Sequence, residues 1–279
     1  MSQSFYKSNS ELKFLARIQT GQHLGLLIGA VLLHFIITYA AVRIVSFLVP
    51  ITSTVGYILN YILVFFVQVA VSLLNVGVSY IFLKSACNMP STISDLFYGF
   101  KHNSIKILKI GVVIAIIESI CMLPGELASL QLTQVLYSIP IFRDYDMNSF
   151  NMMLMNGTIN TSEMIEAYSI LSNAMIRYSV IMLICSVIST ILTLSFFPAY
   201  YMVLDFPDWE ATTILKRCFE VMKGNKTRLF VFYISFIPIS LLSIVTCGLA
   251  LLWIVPYMSM AEANFYLDLM AVRNRSVNA

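Results

Sequence analysis

Six long apolar stretches dominate this chain of 279 residues and limit what it can fold into. A bilayer core of about 30 Å requires roughly 20 mostly apolar residues per helix, and each stretch reaches or approaches that length. The stretches cover residues 24–48, 57–83, 107–123, 174–204, 229–245 and 249–267. The sequence therefore predicts an all-α fold, a polytopic transmembrane helical bundle with six spans that forms a single membrane domain over residues 1–279.

Composition excludes the other broad classes of protein. Hydrophobic residues make up 59% of the chain and charged residues only 11%, whereas soluble domains have roughly 45–50% and about 25%. A net charge of +3 is too small for a nucleic-acid-binding surface, and the same composition excludes a disordered chain. We expect the lipid bilayer, and no nucleic acid, as the partner of this chain.

Lys and Arg residues fall mostly on one side of the predicted spans. Since inner loops are enriched in these residues, both termini are predicted to be cytoplasmic. The predicted order is a cytoplasmic amphipathic segment (1–23), spans 1–3 (24–123), an extracellular loop (124–173), span 4 (174–204), a cytoplasmic amphipathic helix (205–228), spans 5–6 (229–267) and a cytoplasmic tail (268–279).

Three of the predicted inner segments carry apolar residues at the helical spacing i, i+3, i+4 and i+7. The sets are Leu12, Leu15, Ala16 and Gln19; Ile93, Leu96, Phe97 and Phe100; and Leu215, Cys218, Phe219 and Met222. The first set is the weakest of the three, because the pattern breaks at the polar Gln19. This spacing predicts three short amphipathic helices in the inner headgroup layer. Basic residues beside the stripes are predicted to contact lipid headgroups; they are Lys101, Lys216, Arg217 and Lys223.

Polar residues inside the predicted spans are the strongest functional signal, because a polar group in hydrocarbon needs a partner. They lie on one face of spans 2, 4 and 6: Gln68, Ser72, Asn75 and Ser79, then Ser186 and Thr190, then Ser259 and Glu262. Two interpretations stay open, a polar path lined by these spans and ordinary hydrogen bonding between packed helices. Arg43 and Glu118, both in predicted outer halves of spans, form a candidate intramembrane ion pair.

Sequence patterns of catalysis are absent from the chain. None of the nucleophile-elbow, zinc-protease, phosphate-loop or dinucleotide-binding patterns occurs, and the three histidines are far apart in sequence. The five cysteines lack metal-binding spacing. We expect no enzyme activity, no cofactor and no metal.

Several motifs resemble a known family. They are residues 198–208, 220–226, 251–257 and 263–266, with looser similarity at 15–21 and 94–101. This pattern resembles the bacterial integral membrane family catalogued as domain of unknown function 975. The resemblance implies a multi-pass protein of the bacterial plasma membrane with no assigned activity. The chain is more distantly similar to the membrane portion attached to some glycerophosphodiester phosphodiesterases, which points to lipids by analogy alone.

Three functional hypotheses follow from these features. The leading one is a non-enzymatic membrane protein that binds anionic lipid or a membrane-protein partner, as an accessory in envelope homeostasis or export. The second is a small transporter or channel whose path is lined by spans 2, 4 and 6. The third is a receptor or immunity protein for an extracellular peptide, which would use the loop over 124–173.

Overall fold

A computed structural model of the protein describes residues 6–49, 54–139 and 161–277, and every regular element in these ranges is helical. The α-helices are α1 (Asn9–Gln22), α2 (Leu24–Leu48), α3 (Thr54–Ala86), α4 (Tyr98–Lys101), α5 (Ser104–Ser138), α6 (Thr161–Thr193), α7 (Ala199–Asp205), α8 (Ala211–Met222), α9 (Lys226–Ile234), α10 (Ile237–Ser240), α11 (Leu242–Val245) and α12 (Leu251–Val277). Short 3₁₀ turns cover Ile93–Phe97 and Leu194–Phe196. The predicted all-α class is confirmed.

Five stretches of helix are long and apolar enough to cross a membrane. They are Leu24–Leu48, Val55–Ala86, Ser104–Ser138, Met164–Asp205 and Lys226–Val245. They correspond to the first five predicted spans. The sixth span is not confirmed, because α12 carries Glu262, Asn264 and Asp268 and falls outside this set.

The chain forms two compact units, one of residues 1–115 with 193–279 and one of residues 116–192. Helix α12 lies in the core of the first unit, where it packs against α1, α2 and α3. Several of its side chains, such as Met260, Phe265 and Tyr266, have no exposed surface. A helix that other helices cover in this way does not need the uniform apolar surface of a lipid-facing span.

Close backbone packing joins α3 to the segment that contains the Ile93–Phe97 turn and α4. A Cβ atom built on Gly77 would lie 1.8 Å from the Leu96 carbonyl oxygen, and one on Gly99 would lie 2.3 Å from that of Leu73. Only glycine allows this approach, because any side chain would overlap the neighbouring backbone. The segment therefore lies directly on α3, and its helix is short and irregular, since the 3₁₀ turn Ile93–Phe97 leads into the four residues of α4.

In two of the predicted amphipathic helices, α8 and α1, part of the apolar stripe is buried in the protein instead of being exposed to lipid. In α8 the buried positions include Ile214, Cys218 and Met222, while Phe219 is exposed. In α1, which begins with a capping box between Ser8 and Glu11, Leu12 and Ala16 are buried. The apolar stripes of α1 and α8 thus pack largely on the protein, because α12 and α7 offer a surface that the sequence pattern does not reveal.

Helix also occupies much of the loop predicted over 124–173. Helix α5 continues through Pro124 to Ser138, and α6 begins at Thr161, while residues 140–160 lie outside the described residues. Within the second unit these helices meet at Gly125, whose built Cβ would lie 2.3 Å from the Met182 sulfur. The two ends of the segment predicted as an extracellular loop are therefore helical, with Pro124 inside α5, and the placement of 124–173 outside the membrane stays a prediction.

Candidate functional site

A cluster of tyrosines occupies the interior of the first unit. The Tyr266 hydroxyl donates to Asp205 Oδ2 at 2.6 Å, and its ring stacks on that of Tyr201 with centroids 4.8 Å apart. The Tyr201 hydroxyl is hydrogen-bonded with Ser79. Tyr201 and Tyr266 are buried, while Asp205 is exposed at the end of α7.

Glu262 extends this cluster from α12. The Tyr233 hydroxyl donates to its carboxyl group, and the carboxyl lies near enough to Tyr201 for a charge interaction. The structure therefore brings together two of the predicted path residues, Ser79 and Glu262, around Tyr201. Each polar group has a partner on another helix, which is the arrangement that buried polar groups require.

The other predicted path residues of α3 differ in their surroundings. Asn75 Oδ1 lies 2.9 Å from His34 Nε2, an interaction that links α3 to α2. Ser72 is buried and donates to the Val69 carbonyl at 2.6 Å. Gln68 is exposed, and Ser259 of α12 is half-buried.

The remaining predicted path residues belong to the second unit. Ser186 donates to the Leu183 carbonyl at 2.9 Å, and Thr190 donates to the Ser186 carbonyl at 2.8 Å. In the predicted ion pair, Arg43 belongs to the first unit and Glu118 to the second. Arg43 lies over the Tyr39 ring at 5.6 Å. The path and the ion pair both stay predictions.

The predicted headgroup contacts divide into two kinds. Lys101, Lys216 and Lys223 are exposed, and none of them forms an ion pair with a residue that the structure describes. Arg217 instead pairs with Glu220 at 2.7 Å and lies over the Trp209 ring. Hydrogen bonding to Arg217 lowers the pKa of Glu220, so this carboxylate stays charged beside the guanidinium. Three of the four predicted contacts are therefore available to an anionic partner.

Large apolar side chains are exposed on α1, on the segment 93–101 that ends at Lys101, and on α8, which carries Lys216 and is followed by Lys223. They are Phe14 and Ile18 of α1, Ile93, Phe97 and Phe100 of the segment 93–101, and Phe219 of α8. The name basic end is used below for these three segments, α1, 93–101 and α8. Exposed aromatic and aliphatic groups interleaved with lysines are typical of surfaces that lie in a lipid headgroup layer.

A basic cleft of about 650 Å³ opens between the first turns of α5 and α8. Lys106 and Lys109 line it from α5, and Glu210 and Thr212 line it from the start of α8. The Lys106 ammonium group donates to the Pro207 carbonyl. In the sequence, Lys106 and Lys109 served only as charges that orient the spans. Their spacing of three residues makes them neighbours on one helix face, and this was the available signal for a joint role.

An ion pair between Arg228 and Asp268 was also missed. Arg228 Nη2 lies 2.6 Å from Asp268 Oδ2, and the Lys7 backbone N–H donates to the same carboxylate. The guanidinium lies over the rings of Phe265 and Tyr6, at 4.3 and 4.6 Å from their centroids. An acid among aromatic residues was the available signal, since a buried carboxylate needs a cation.

The described residues contain no group of three or more His, Cys, Asp or Glu side chains that could hold a metal ion. Burial raises the pKa of the Cys218 thiol to about 12, so its reactive thiolate form is not populated at neutral pH.

The fold and these sites define an all-α protein with several helices long enough to span a membrane, which indicates a membrane location. The chain belongs to the family described as "Protein of unknown function (DUF975)", whose sequence profile matches residues 1–273. The predicted family is therefore confirmed. Comparison with curated proteins and with solved structures gives no significant match.

Proposed function

We propose that this chain is a non-enzymatic integral membrane protein whose basic end binds anionic lipid in one leaflet. The observation that carries the proposal is the exposure of apolar side chains beside three lysines without ion-pair partners among the described residues. Apolar groups favour the acyl boundary of a bilayer, and each lysine near an anionic surface contributes about 1 kcal/mol.

The distribution of Lys and Arg along the sequence also supports an orientation of the chain in the membrane. Because basic loops remain on the inner side of a membrane, the basic end would face the cytoplasm, with both termini there. The bacterial plasma membrane, and an accessory role in envelope homeostasis or export beside a membrane-protein partner, are proposed from the family resemblance and from analogy.

The test measures retention of anionic lipid by the purified full-length chain. Native mass spectrometry would follow the binding of added phosphatidylglycerol to the wild type and to a variant with Lys101, Lys216 and Lys223 all changed to Gln. We expect the three changes together to weaken binding by about 3 kcal/mol, or roughly a hundredfold, at low salt. The difference should shrink as salt screens the charges.

Arg217→Gln is the matched control for this experiment. Its guanidinium is already paired with Glu220, so its loss should weaken binding less than the loss of any one exposed lysine. Unchanged binding in the triple variant, or an equal loss in Arg217→Gln, would contradict the proposal.

A transport role is the second candidate, and the cluster around Glu262 favours it, because a carboxyl group among tyrosines could exchange a proton or bind a cation. Cysteines placed at Ser72, Asn75, Ser186 and Ser259 should react with a small hydrophilic thiol reagent if water reaches these positions. Unreactive cysteines at all four would remove this candidate. The receptor hypothesis depends on residues 140–160, which lie outside the described residues.

A further inference from the structure

The cleft between α5 and α8 combines positive charge with groups that suit a phosphate. Lys106 and Lys109 lie one helical turn apart, against a single carboxylate, Glu210. The Lys109 side chain is exposed and forms no ion pair with a residue that the structure describes. Thr212 adds an exposed hydroxyl group on the opposite wall.

The anchored position of Lys106 gives the cleft a defined shape. Its ammonium group donates to the Pro207 carbonyl, so it joins the start of α5 to the loop that precedes α8. The Ser104 hydroxyl donates to the carbonyls of Gly99 and Phe100, both at 2.9 Å, which fixes the first turn of α5. Both walls of the cleft are therefore held by contacts within the first unit.

The apolar rim of the cleft distinguishes a lipid from a soluble anion. Ile105 lies between the two lining lysines and the start of the helix, and 74% of its surface is exposed. Phe100 is not a lining residue, but it lies four residues before Ser104 in sequence and is half exposed. Since α5 is a candidate spanning helix that begins at Ser104, the cleft lies at one end of a helix long enough to cross a bilayer, and headgroups would be found at such an end.

We propose that this cleft binds the phosphate group of one anionic phospholipid, with Lys106 and Lys109 holding the phosphate and Ile105 contacting the acyl chain. The inference rests on the proposed lipid-binding function and names the site and the chemical class of its ligand. Charged contacts to a phosphate from two lysines in one pocket give more selectivity than scattered surface lysines can.

Quenching of tryptophan fluorescence by brominated lipid tests the site directly. Trp209 precedes Glu210, and a Trp253→Phe background leaves Trp209 as the single tryptophan of the full chain. Brominated phosphatidylglycerol, titrated into the protein in detergent micelles, should quench Trp209 more strongly than brominated phosphatidylcholine. Lys109→Gln should require about fivefold more phosphatidylglycerol for half quenching, and Lys106→Gln with Lys109→Gln about thirtyfold more.

Glu210→Gln gives an effect of opposite sign that misfolding cannot imitate. It removes the only carboxylate among the described residues that line the cleft, so it should tighten phosphatidylglycerol binding by up to about fivefold. Its failure to tighten binding, or equal quenching by the two brominated lipids, would overturn the inference. Competition by millimolar inorganic phosphate would also overturn it, because a site for soluble phosphate does not need the lipid.

The variant with Lys101, Lys216 and Lys223 changed to Gln distinguishes lipid binding by the basic end from lipid binding by the cleft. Loss of phosphatidylglycerol binding in the Lys101, Lys216 and Lys223 variant, with no effect of the cleft variants, would leave lipid binding intact and reject the cleft. Loss in the cleft variants alone would support the cleft and reject the basic end as the main lipid-binding surface. No effect in either set would reject both.

Discussion

The two units of the chain use their polar side chains differently. In the first unit, polar contacts join residues far apart in sequence, such as Arg228 with Asp268 and Asn264 with Gln19. In the second unit, hydroxyls donate to carbonyls of their own helix three or four residues earlier, as Ser179 does to Met175 and Ser186 to Leu183. The first unit has self-bonded hydroxyls too, such as those of Ser72 and Ser240, but its long-range contacts help to fix which helices meet, whereas a self-bonded hydroxyl satisfies its own helix and specifies no neighbour.

The glycine contacts give the largest expected difference between the units. Gly77→Ala should destabilise the protein by about 3 kcal/mol or more, because its Cβ would overlap the Leu96 carbonyl, which is backbone and cannot turn away. Gly125→Ala in the second unit should cost only about 1 kcal/mol, since its neighbour is the flexible Met182 side chain. The free energy of unfolding in detergent micelles measures both.

Gly25→Ala is the control for this comparison, because no atom lies within 4 Å of its built Cβ. It should be neutral or stabilise α2 by up to about 1 kcal/mol through helix propensity. Equal losses from Gly77→Ala and Gly125→Ala would show that the two units do not differ in the rigidity of their packing.

The ion pair between Arg228 and Asp268 in the first unit should have the next largest effect on stability. Asp268→Asn should cost about 3 kcal/mol, because it leaves the Arg228 guanidinium partly buried without its carboxylate. The side chains of Arg228 and Asp268 are only 17% and 6% exposed. The same change weakens the acceptor of the Lys7 N–H, so α1 should become more accessible to trypsin.

A double-mutant cycle with Arg228→Gln tests whether the loss comes from the pair itself. The double variant should be more stable than the sum of the single losses predicts, with a coupling of about 1–3 kcal/mol between the two side chains. Additive losses would mean that the two residues act independently, and that the first unit is not held together by this contact.

The ion pair between Lys84 and Asp95 gives a smaller, pH-dependent effect. Partial burial works to raise the pKa of Asp95, but hydrogen bonds from Lys84 and from the Thr92 N–H outweigh it and hold the pKa below its usual range. A depressed carboxyl pKa stabilises the fold above the unfolded-state pKa, and this stabilisation is lost as the pH falls through the folded-state value.

Asp95→Asn should therefore be less stable than the wild type by about 1 kcal/mol at pH 7, and the difference should close below about pH 4. Unfolding measured for both proteins across this pH range provides the check. Lys84→Met should show the same closure, since it removes the partner of the same carboxylate. A difference that stays constant with pH would assign the loss to packing instead of charge.

Sequence patterns predicted the helices well and their contacts poorly. Length and apolarity identified five of the spanning stretches, because crossing a bilayer is a property of each helix alone. The burial of α12 and the approach of Gly77 to Leu96 depend on which helices meet, and a single sequence contains no signal for such pairs. For the same reason Lys106 and Lys109 were counted as orienting charges, although the first turn of α8 places them in a cleft.

Loss of a hydroxyl that bonds within its own helix should have the least effect of these changes. Ser179→Ala and Ser186→Ala should each change the free energy of unfolding by less than about 0.6 kcal/mol, because each hydroxyl in the structure donates to its own helix. Tyr266→Phe in the first unit is the matched change, and it should cost about 1.5–3 kcal/mol because it removes a hydrogen bond to the Asp205 carboxylate. A loss above about 1 kcal/mol from Ser186→Ala would indicate a partner beyond its own helix. That result would make the predicted polar path, to which Ser186 belongs, the next arrangement to test by thiol accessibility.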